Sequence, residues 1–194
     1  FNVDDTEPVA VHKDIEDGSQ TVSVTSPEVQ TVAVNKEDNS KVFEPDTTVT
    51  LKDTVFYNNL IVGHKYTVTG TLMDEETGKA IKDIDGNIVT ASVEFVPEAA
   101  CGTVDVEFTF AATELYGKTI VAFEKLLFNG TVIASHEDIN DEEQTTTVHN
   151  PEIMRTIAVS AVDEGKLIDA SETSIINDTV VYRHLSTGHT YTLR

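Results

Sequence analysis

Two acidic segments of this chain each place a histidine eight residues before a glutamine. His136 and Gln144 bound one segment, HEDINDEEQ, and His12 and Gln20 bound the other, HKDIEDGSQ. An imidazole is a common general base, and a carboxamide has an acyl carbon that a nucleophile can attack. A solvated acidic loop is the ordinary interpretation of such a run. Because the His–Gln spacing recurs, the repeated pair favours a functional role.

A second repeated pair offers a hydroxyl and a carboxylate. Thr31 and Asp53 stand twenty-two residues apart, and Thr156 and Asp178 have the same spacing. A threonine in a strand usually reflects β propensity, and an Asp before a Thr is often a turn residue. With a histidine as base, however, a threonine hydroxyl facing an acyl group is the arrangement of acyl transfer. The acyl group here would be the protein's own glutamine.

The repeats define how the chain is organised. The Thr and Asp segment recurs at an offset of 125 residues, and the His and Gln segment at 124. We therefore expect three pieces cut from a tandem array: 1–24 as the tail of one unit, 28–148 as a complete unit, and 152–194 as the head of the next. The linkers TSPE and HNPE each contain a proline, which favours stiffly stacked units with neighbouring repeats as partners.

Composition limits the classes of partner. The 194 residues carry 34 acidic and 13 basic side chains, a formal charge of −21. Such a surface disfavours nucleic acid and anionic membrane as partners. The one cysteine excludes an intrachain disulfide, and no apolar run is long enough to span a membrane. Stabilisation against load or proteases would have to come from elsewhere.

Alternation of apolar and polar residues predicts a sheet protein. Segments with this period-two pattern, rich in Val, Thr, Phe and Ile, are 66–73, 88–95, 102–110, 118–126 and 144–148. Turn residues separate them, and no segment has sustained helical spacing. We predict an all-β fold, an Ig-like antiparallel β-sandwich. Its first and last strands are expected side by side, which would bring Thr31, His136 and Gln144 together.

The complete unit also resembles a known family. The motifs KDTVFYNNL, TGTLMD, VAFEK and HEDINDEEQ together resemble the VaFE-type repeat, or T-Q ester-bond domain, over all of 28–148. The resemblance implies Ig-like stalk domains of Gram-positive surface adhesins, whose parent proteins are extracellular and anchored to the cell wall. It also implies a spontaneous ester between a Thr and a Gln side chain, with no cofactor or metal and no enzymatic turnover.

Site roles follow from the resemblance, position by position. It implies that Thr31 is the nucleophile, Gln144 the acyl donor and His136 the base, and that Asp53 and Glu124 assist. As a hypothesis, Asp53 or Glu124 orients the imidazole. One of these two carboxyls, with a raised pKa, then stays protonated and supports the oxyanion.

Several alternatives stay open at the level of sequence. Thr48, Thr50 and Thr54 are other candidate nucleophiles, because this unit has TV where the family often has TT in the first strand. A ligand-binding Ig-like adhesin module and a turnover hydrolase using His136 are the competing functions. Because the counterpart of Glu124 is missing from both flanking segments, we expect neither of them to be cross-linked.

Overall fold

In the computed structural model the regular secondary structure of the described residues is almost entirely β-strand. The structure describes residues 11–22, 24–168, 170 and 173–194. The strands are β1 (Glu28–Asn35), β2 (Val42–Phe43), β3 (Val49–Asn58), β4 (Tyr66–Asp74), β5 (Lys79–Ala80), β6 (Thr90–Phe95), β7 (Gly102–Phe110), β8 (Thr119–Phe128), β9 (Thr131–His136), β10 (Thr145–Val148), β11 (Glu152–Ser160) and β12 (Ile176–Arg183). The helical elements of this described part are two 3-10 turns, Gly18–Gln20 and Glu142–Gln144.

Two sheets of the complete unit pack face to face. One has the order β1-β3-β7; the other has the order β2-β10-β8-β4-β5, with β6 also on β4 and β9 also on β8. The pairs are antiparallel apart from the short β2–β10 pair. Leu51 and Phe108 of the first sheet and Leu72, Ile120 and Leu126 of the second are fully buried between them. The predicted all-β antiparallel sandwich is confirmed.

The predicted strands match the observed ones closely. All five segments named from alternation are strands whose ends lie within two residues of the prediction. The β8–β9 hairpin turns at Asn129 and Gly130, whose φ angles are 50° and 78°. Both residues tolerate this left-handed backbone, which two-residue hairpin turns need. The turn sets a register in which His136 lies opposite Glu124.

The first and last strands are not paired side by side as expected. β9 and β10 both use one edge of β8: β9 pairs with the stretch from Glu124 to Phe128, and β10 with the stretch from Thr119 to Val121. β1 belongs to the other sheet, where it pairs with β3. It faces β8, β9 and β10 across the sandwich. The residues of interest are therefore brought together between sheets.

Residues 152–194 contribute the separate pair β11–β12. Its register repeats that of β1 and β3, since Ala158 pairs with Asp178 as Ala33 pairs with Asp53. The pair is largely exposed, because no second sheet covers it among the described residues. No helix in the described ranges has the length and apolar character to cross a membrane.

Candidate functional site

Four polar side chains lie in the core between the two sheets of the complete unit. Thr31 is 2% exposed, and Asp53, Glu124 and Gln144 are each 0% exposed. Burying a polar group costs free energy unless it is hydrogen-bonded, so such a cluster is not expected from packing alone. His136 adjoins the cluster with 21% of its side chain exposed. The cluster therefore meets solvent through the imidazole.

Strand register positions these groups from both sheets. Thr31 and Ala33 lie on the inner face of β1, and Ala33 pairs with Asp53 on the inner face of β3. Glu124 lies on the inner face of β8, with His136 opposite it at the end of β9. The sandwich thus presents a hydroxyl and a carboxyl from one sheet to a carboxyl and an imidazole from the other.

A short 3-10 helix places the glutamine. The side chain of Asp141 caps this helix by accepting a hydrogen bond from the backbone N–H of Glu143 at 2.8 Å. The helix ends at Gln144, just before β10 begins. Because β9 and β10 leave a gap between them along β8, the Gln144 side chain enters the core at that gap.

The Gln144 carboxamide contacts the Thr31 hydroxyl directly. Its Nε2 donates to Thr31 Oγ1 at 2.9 Å and lies 3.2 Å from both Glu124 Oε2 and the His136 carbonyl oxygen. Thr31 Oγ1 lies 3.4 Å from His136 Nδ1 and 3.4 Å from Glu124 Oε2. Hydrogen bonds of a catalytic group are often long before the reaction and tighten along it. A hydroxyl, an imidazole and a carboxamide therefore lie within hydrogen-bonding distance of one another.

The carboxylate in contact with the imidazole is that of Asp141. Its Oδ2 lies 3.0 Å from His136 Nε2, whereas the Nδ1 side of the ring faces Thr31. Asp53 and Glu124, the residues expected to orient the ring, have no hydrogen bond or ion pair to His136 among the described contacts, whereas Asp141 has one. A carboxylate at Nε2 favours a proton there, which leaves Nδ1 free to accept the hydroxyl proton.

Asp141 could have been found from the sequence. It stands five residues after His136, and Asp17 stands five residues after His12 in the other copy. The two aspartates also share their contacts: Asp17 Oδ2 lies 3.2 Å from His12 Nε2, and Asp17 caps a 3-10 helix as Asp141 does. The repeated position of this aspartate sets it apart. The many other acidic residues of the segment make that position hard to recognise.

Asp53 and Glu124 form a buried acid pair. Burial is the main cause that raises the pKa of Asp53, and it raises the pKa of Glu124 to about 11, with the Asp53 charge as the next cause. Both Asp53 oxygens, Glu124 Oε1 and Gln144 Oε1 have no hydrogen-bond partner among the described residues, so the carboxyl expected to support the Gln144 carbonyl does not contact that oxygen here. A proton on Glu124 that is shared with Asp53 provides the missing donor. The buried pair therefore carries a proton at neutral pH.

Comparison with known proteins identifies the family. The family model of the T-Q ester bond containing domain matches residues 2–24, 27–148 and 152–194. The chain belongs to this family. The resemblance inferred from the motifs is thus confirmed. The curated proteins include no match to the chain.

Solved structures show the same fold. An adhesin from Mobiluncus mulieris, described as containing intramolecular disulfide, isopeptide and ester bond cross-links, is similar in two crystal forms. The first superposes with a TM-score of 0.57 at 17% identity over 70% of this chain and 60% of that one. The second gives 0.55 at 15% identity over 83% and 77%. The chain thus spans 60% of the first adhesin chain, and at this identity the likeness concerns the fold.

In this T-Q ester bond domain, the alternative threonines lie away from Gln144. Thr48 is exposed. Thr50 Oγ1 contacts Thr109 Oγ1 at 3.2 Å, and Thr54 Oγ1 donates to Asp105 at 2.7 Å, both on the outer face of the β3–β7 pair. Of the four candidates, Thr31 has the hydroxyl in contact with the carboxamide.

The partial sites of the flanking segments are open to solvent. His12, Gln20, Thr156 and Asp178 are all exposed. Thr156 and Asp178 keep the strand positions of Thr31 and Asp53, but in the part of the chain that the structure describes no opposing sheet excludes water from them. Without that burial, a carboxamide and a hydroxyl would compete with water for the same contacts.

Proposed function

We propose that this chain is a segment of a surface adhesin in which residues 28–148 form a unit stiffened by an ester between Thr31 and Gln144. The contact of 2.9 Å between Gln144 Nε2 and Thr31 Oγ1 in the core carries the proposal. Family membership supports it independently. Because the fold holds both groups in contact, proximity supplies much of the rate.

The reaction is an intramolecular acyl transfer. His136 Nδ1 takes the proton from Thr31 Oγ1 while the oxygen attacks Cδ of Gln144, and Asp141 stabilises the imidazolium. The Cδ–Nε2 bond then breaks, and Nε2 leaves as ammonia with the proton that balances the loss from Thr31. The His136 imidazolium delivers it, while Glu124 Oε2, which accepts a hydrogen bond from Nε2 at 3.2 Å, positions the leaving nitrogen. Asp53 shares the proton of Glu124 and keeps the pair at a single negative charge.

The buried surroundings of Thr31 and Gln144 suit a reaction that occurs once in each chain. Thr31 and Gln144 are both consumed, and their burial keeps water from the ester. A surface depression of about 350 Å³, lined in part by Thr31, His136 and Asp141, gives ammonia a route out. We therefore propose a self-modifying structural domain and no turnover enzyme.

The position of the bond suits a load-bearing stalk. Tension along a tandem array enters this unit near residue 28 and leaves near residue 148, and the ester would carry it from Thr31 to Gln144. Nearly the whole sandwich is then bypassed. We propose that 1–24 and 152–194 belong to neighbouring repeats, which are the partners of this unit. In this proposal the parent protein is extracellular and anchored to a Gram-positive cell wall, and the segment contacts neither nucleic acid nor membrane.

Intact mass spectrometry of the folded chain tests the proposal. We expect a mass lower than the sequence mass by one ammonia, with one cross-linked peptide joining the Thr31 and Gln144 regions after digestion. The binding-module alternative requires no loss of mass. A folded chain with its full sequence mass would contradict the ester.

Asp141→Asn tests the orienting role. Asn also caps helices well, so the 3-10 helix is kept while the imidazole loses its carboxylate. We expect cross-linking to slow by roughly 10²-fold or more, in the range attributed to general-base catalysis. The measurement is the uncross-linked fraction in freshly purified protein and its decay over time. Asp138→Asn, an exposed change in the same loop, is the matched control. Equal rates for both variants would remove Asp141 from the mechanism.

A further inference from the structure

A second cluster of polar side chains lies where residues 152–194 meet the complete unit. Glu44 directly follows β2, and His149 directly follows β10. These two strands are parallel neighbours, and the backbone N–H of His149 donates to the Phe43 carbonyl at 3.0 Å. The backbone thus holds Glu44 and His149 next to each other. The third member, His184, comes from the other side of the junction, directly after β12.

His184 occupies a backbone position that seldom holds a histidine. Its φ angle is 58°, in the left-handed region where asparagine is favoured. The corresponding residue of the complete unit, 125 positions earlier, is Asn59, with a φ of 61°. Asn59 uses its side chain to donate to the Ser26 carbonyl at 2.9 Å. The change to histidine gives the later copy an imidazole at the same point.

The three side chains converge. His184 Nδ1 lies 2.8 Å from Glu44 Oε2, and His149 Nε2 lies 3.8 Å from Glu44 Oε1. The two imidazole rings are stacked, with centroids 3.9 Å apart. One ligand atom from each residue can be chosen so that all three lie within 4.8 Å of one another. Among the described residues, no other set of three or more His, Cys, Asp and Glu side chains lies close enough together to hold a metal ion.

We propose that Glu44, His149 and His184 bind one Zn²⁺ ion that ties residues 152–194 to the complete unit. Two imidazole nitrogens and one carboxylate oxygen are a ligand set that zinc uses, with water in the fourth position. Ligand atoms around a tetrahedral zinc are about 3.3 Å apart for bonds of about 2.0 Å. Because the two rings are stacked, binding requires an imidazole to rotate out of the stack so that one nitrogen of each ring points at the ion. The net charge of −21 also favours cation binding.

The site would be specific to this junction. Contacts already present there include the hydroxyl of Ser186, which donates to the Pro45 carbonyl, and the Tyr116 hydroxyl, 2.9 Å from that of Tyr191. At the junction before residue 28, Thr25 stands at the position of His149 and Asn59 at that of His184. That junction therefore lacks both imidazoles. A metal bound at the later junction would restrict the angle between two successive units, independently of the ester.

Zinc titration of the intact chain, followed by calorimetry, tests the site. We expect saturable binding of one Zn²⁺ per chain. His184→Asn restores the residue of the earlier copy and His149→Thr does the same; each should weaken binding at least tenfold. His189→Asn, an exposed histidine of the same segment, is the matched control and should bind like the wild type. Absence of saturable binding, or binding by His184→Asn and His149→Thr as tight as that of the wild type, would overturn the proposal and leave an ion pair only.

Two further readouts separate the site from folding and from the ester. In nuclear magnetic resonance spectra, Zn²⁺ should shift the imidazole signals of His149 and His184 and leave that of His189 in place. A Thr31→Ala chain should bind Zn²⁺ as the wild type does, because Thr31 lies in the core of the sandwich. Shifts confined to other histidines would contradict the assignment.

Discussion

Thr31→Ala gives a folded chain that retains its full sequence mass and is less stable than the wild type by about 5 kcal/mol. The ester would close a loop between residues separated by 113 positions. In the chain-entropy model of cross-links, a loop of about 100 residues contributes about 4.7 kcal/mol by restricting the unfolded chain. The sandwich still forms without the hydroxyl, since Gln144 Nε2 keeps its contacts with Glu124 Oε2 and the His136 carbonyl. Chemical denaturation monitored by circular dichroism measures the difference.

Two substitutions control that experiment. Thr31→Ser keeps a hydroxyl in place and should retain the loss of one ammonia. Thr54→Ala removes a hydroxyl that donates to Asp105 on the outer face and should leave the cross-link intact. If Thr31→Ala still lost one ammonia, the nucleophile would be another threonine, and Thr48, Thr50 and Thr54 would be tested in turn.

Local pattern was enough to predict the five strands named from alternation, and β1 has the same alternation. Val29, Thr31 and Ala33 alternate with more exposed residues, which indicates that Thr31 shares a face with apolar neighbours. The Asn129–Gly130 turn likewise follows from chemistry within two residues. These features depend on near neighbours in the sequence, so the sequence contains the information directly.

Features that depend on distant residues were harder to predict. β1 joins its sheet by pairing with β3, while β9 and β10 share one edge of β8. Neither pairing can be predicted from the local alternation of apolar and polar residues. Contact of the Asp53 and Glu124 carboxyls is likewise a tertiary event, since they come from different sheets. Their raised pKa values follow from burial, which the sequence showed only for apolar positions.

Asp141 was hard to predict for a different reason. Its segment, DINDEE, offers several carboxylates at similar distances from His136 along the chain. All are equivalent by composition, and the fold decides which one reaches the imidazole. Asp141 caps the 3-10 helix with one carboxylate oxygen, and its other oxygen lies 3.0 Å from His136 Nε2. The repeat keeps the same spacing in Asp17, so comparing copies position by position resolves what the composition of one copy cannot.

The buried acid pair makes the uncross-linked chain less stable as pH rises. The pKa of Glu124 is raised from 4.5 to about 11 in the folded state, chiefly by burial. Between those values the folded state binds a proton that the unfolded state releases, so the contribution of Glu124 to stability is greatest below pH 4.5 and falls as pH increases. The slope reaches at most about 1.4 kcal/mol per pH unit for one group. Thr31→Ala is the background for the measurement, because the ester would otherwise limit unfolding.

Adding Glu124→Gln to Thr31→Ala should remove most of this dependence. The glutamine amide donates to Asp53 without needing a proton from solution. Relative to Thr31→Ala alone, the double variant should gain up to about 4 kcal/mol between about pH 5 and about pH 8. Glu142→Gln, an exposed change in the same background, controls for the other acidic residues and should keep the original slope. Parallel curves for the Glu124→Gln and Glu142→Gln double variants would show that Glu124 is not the source of the slope.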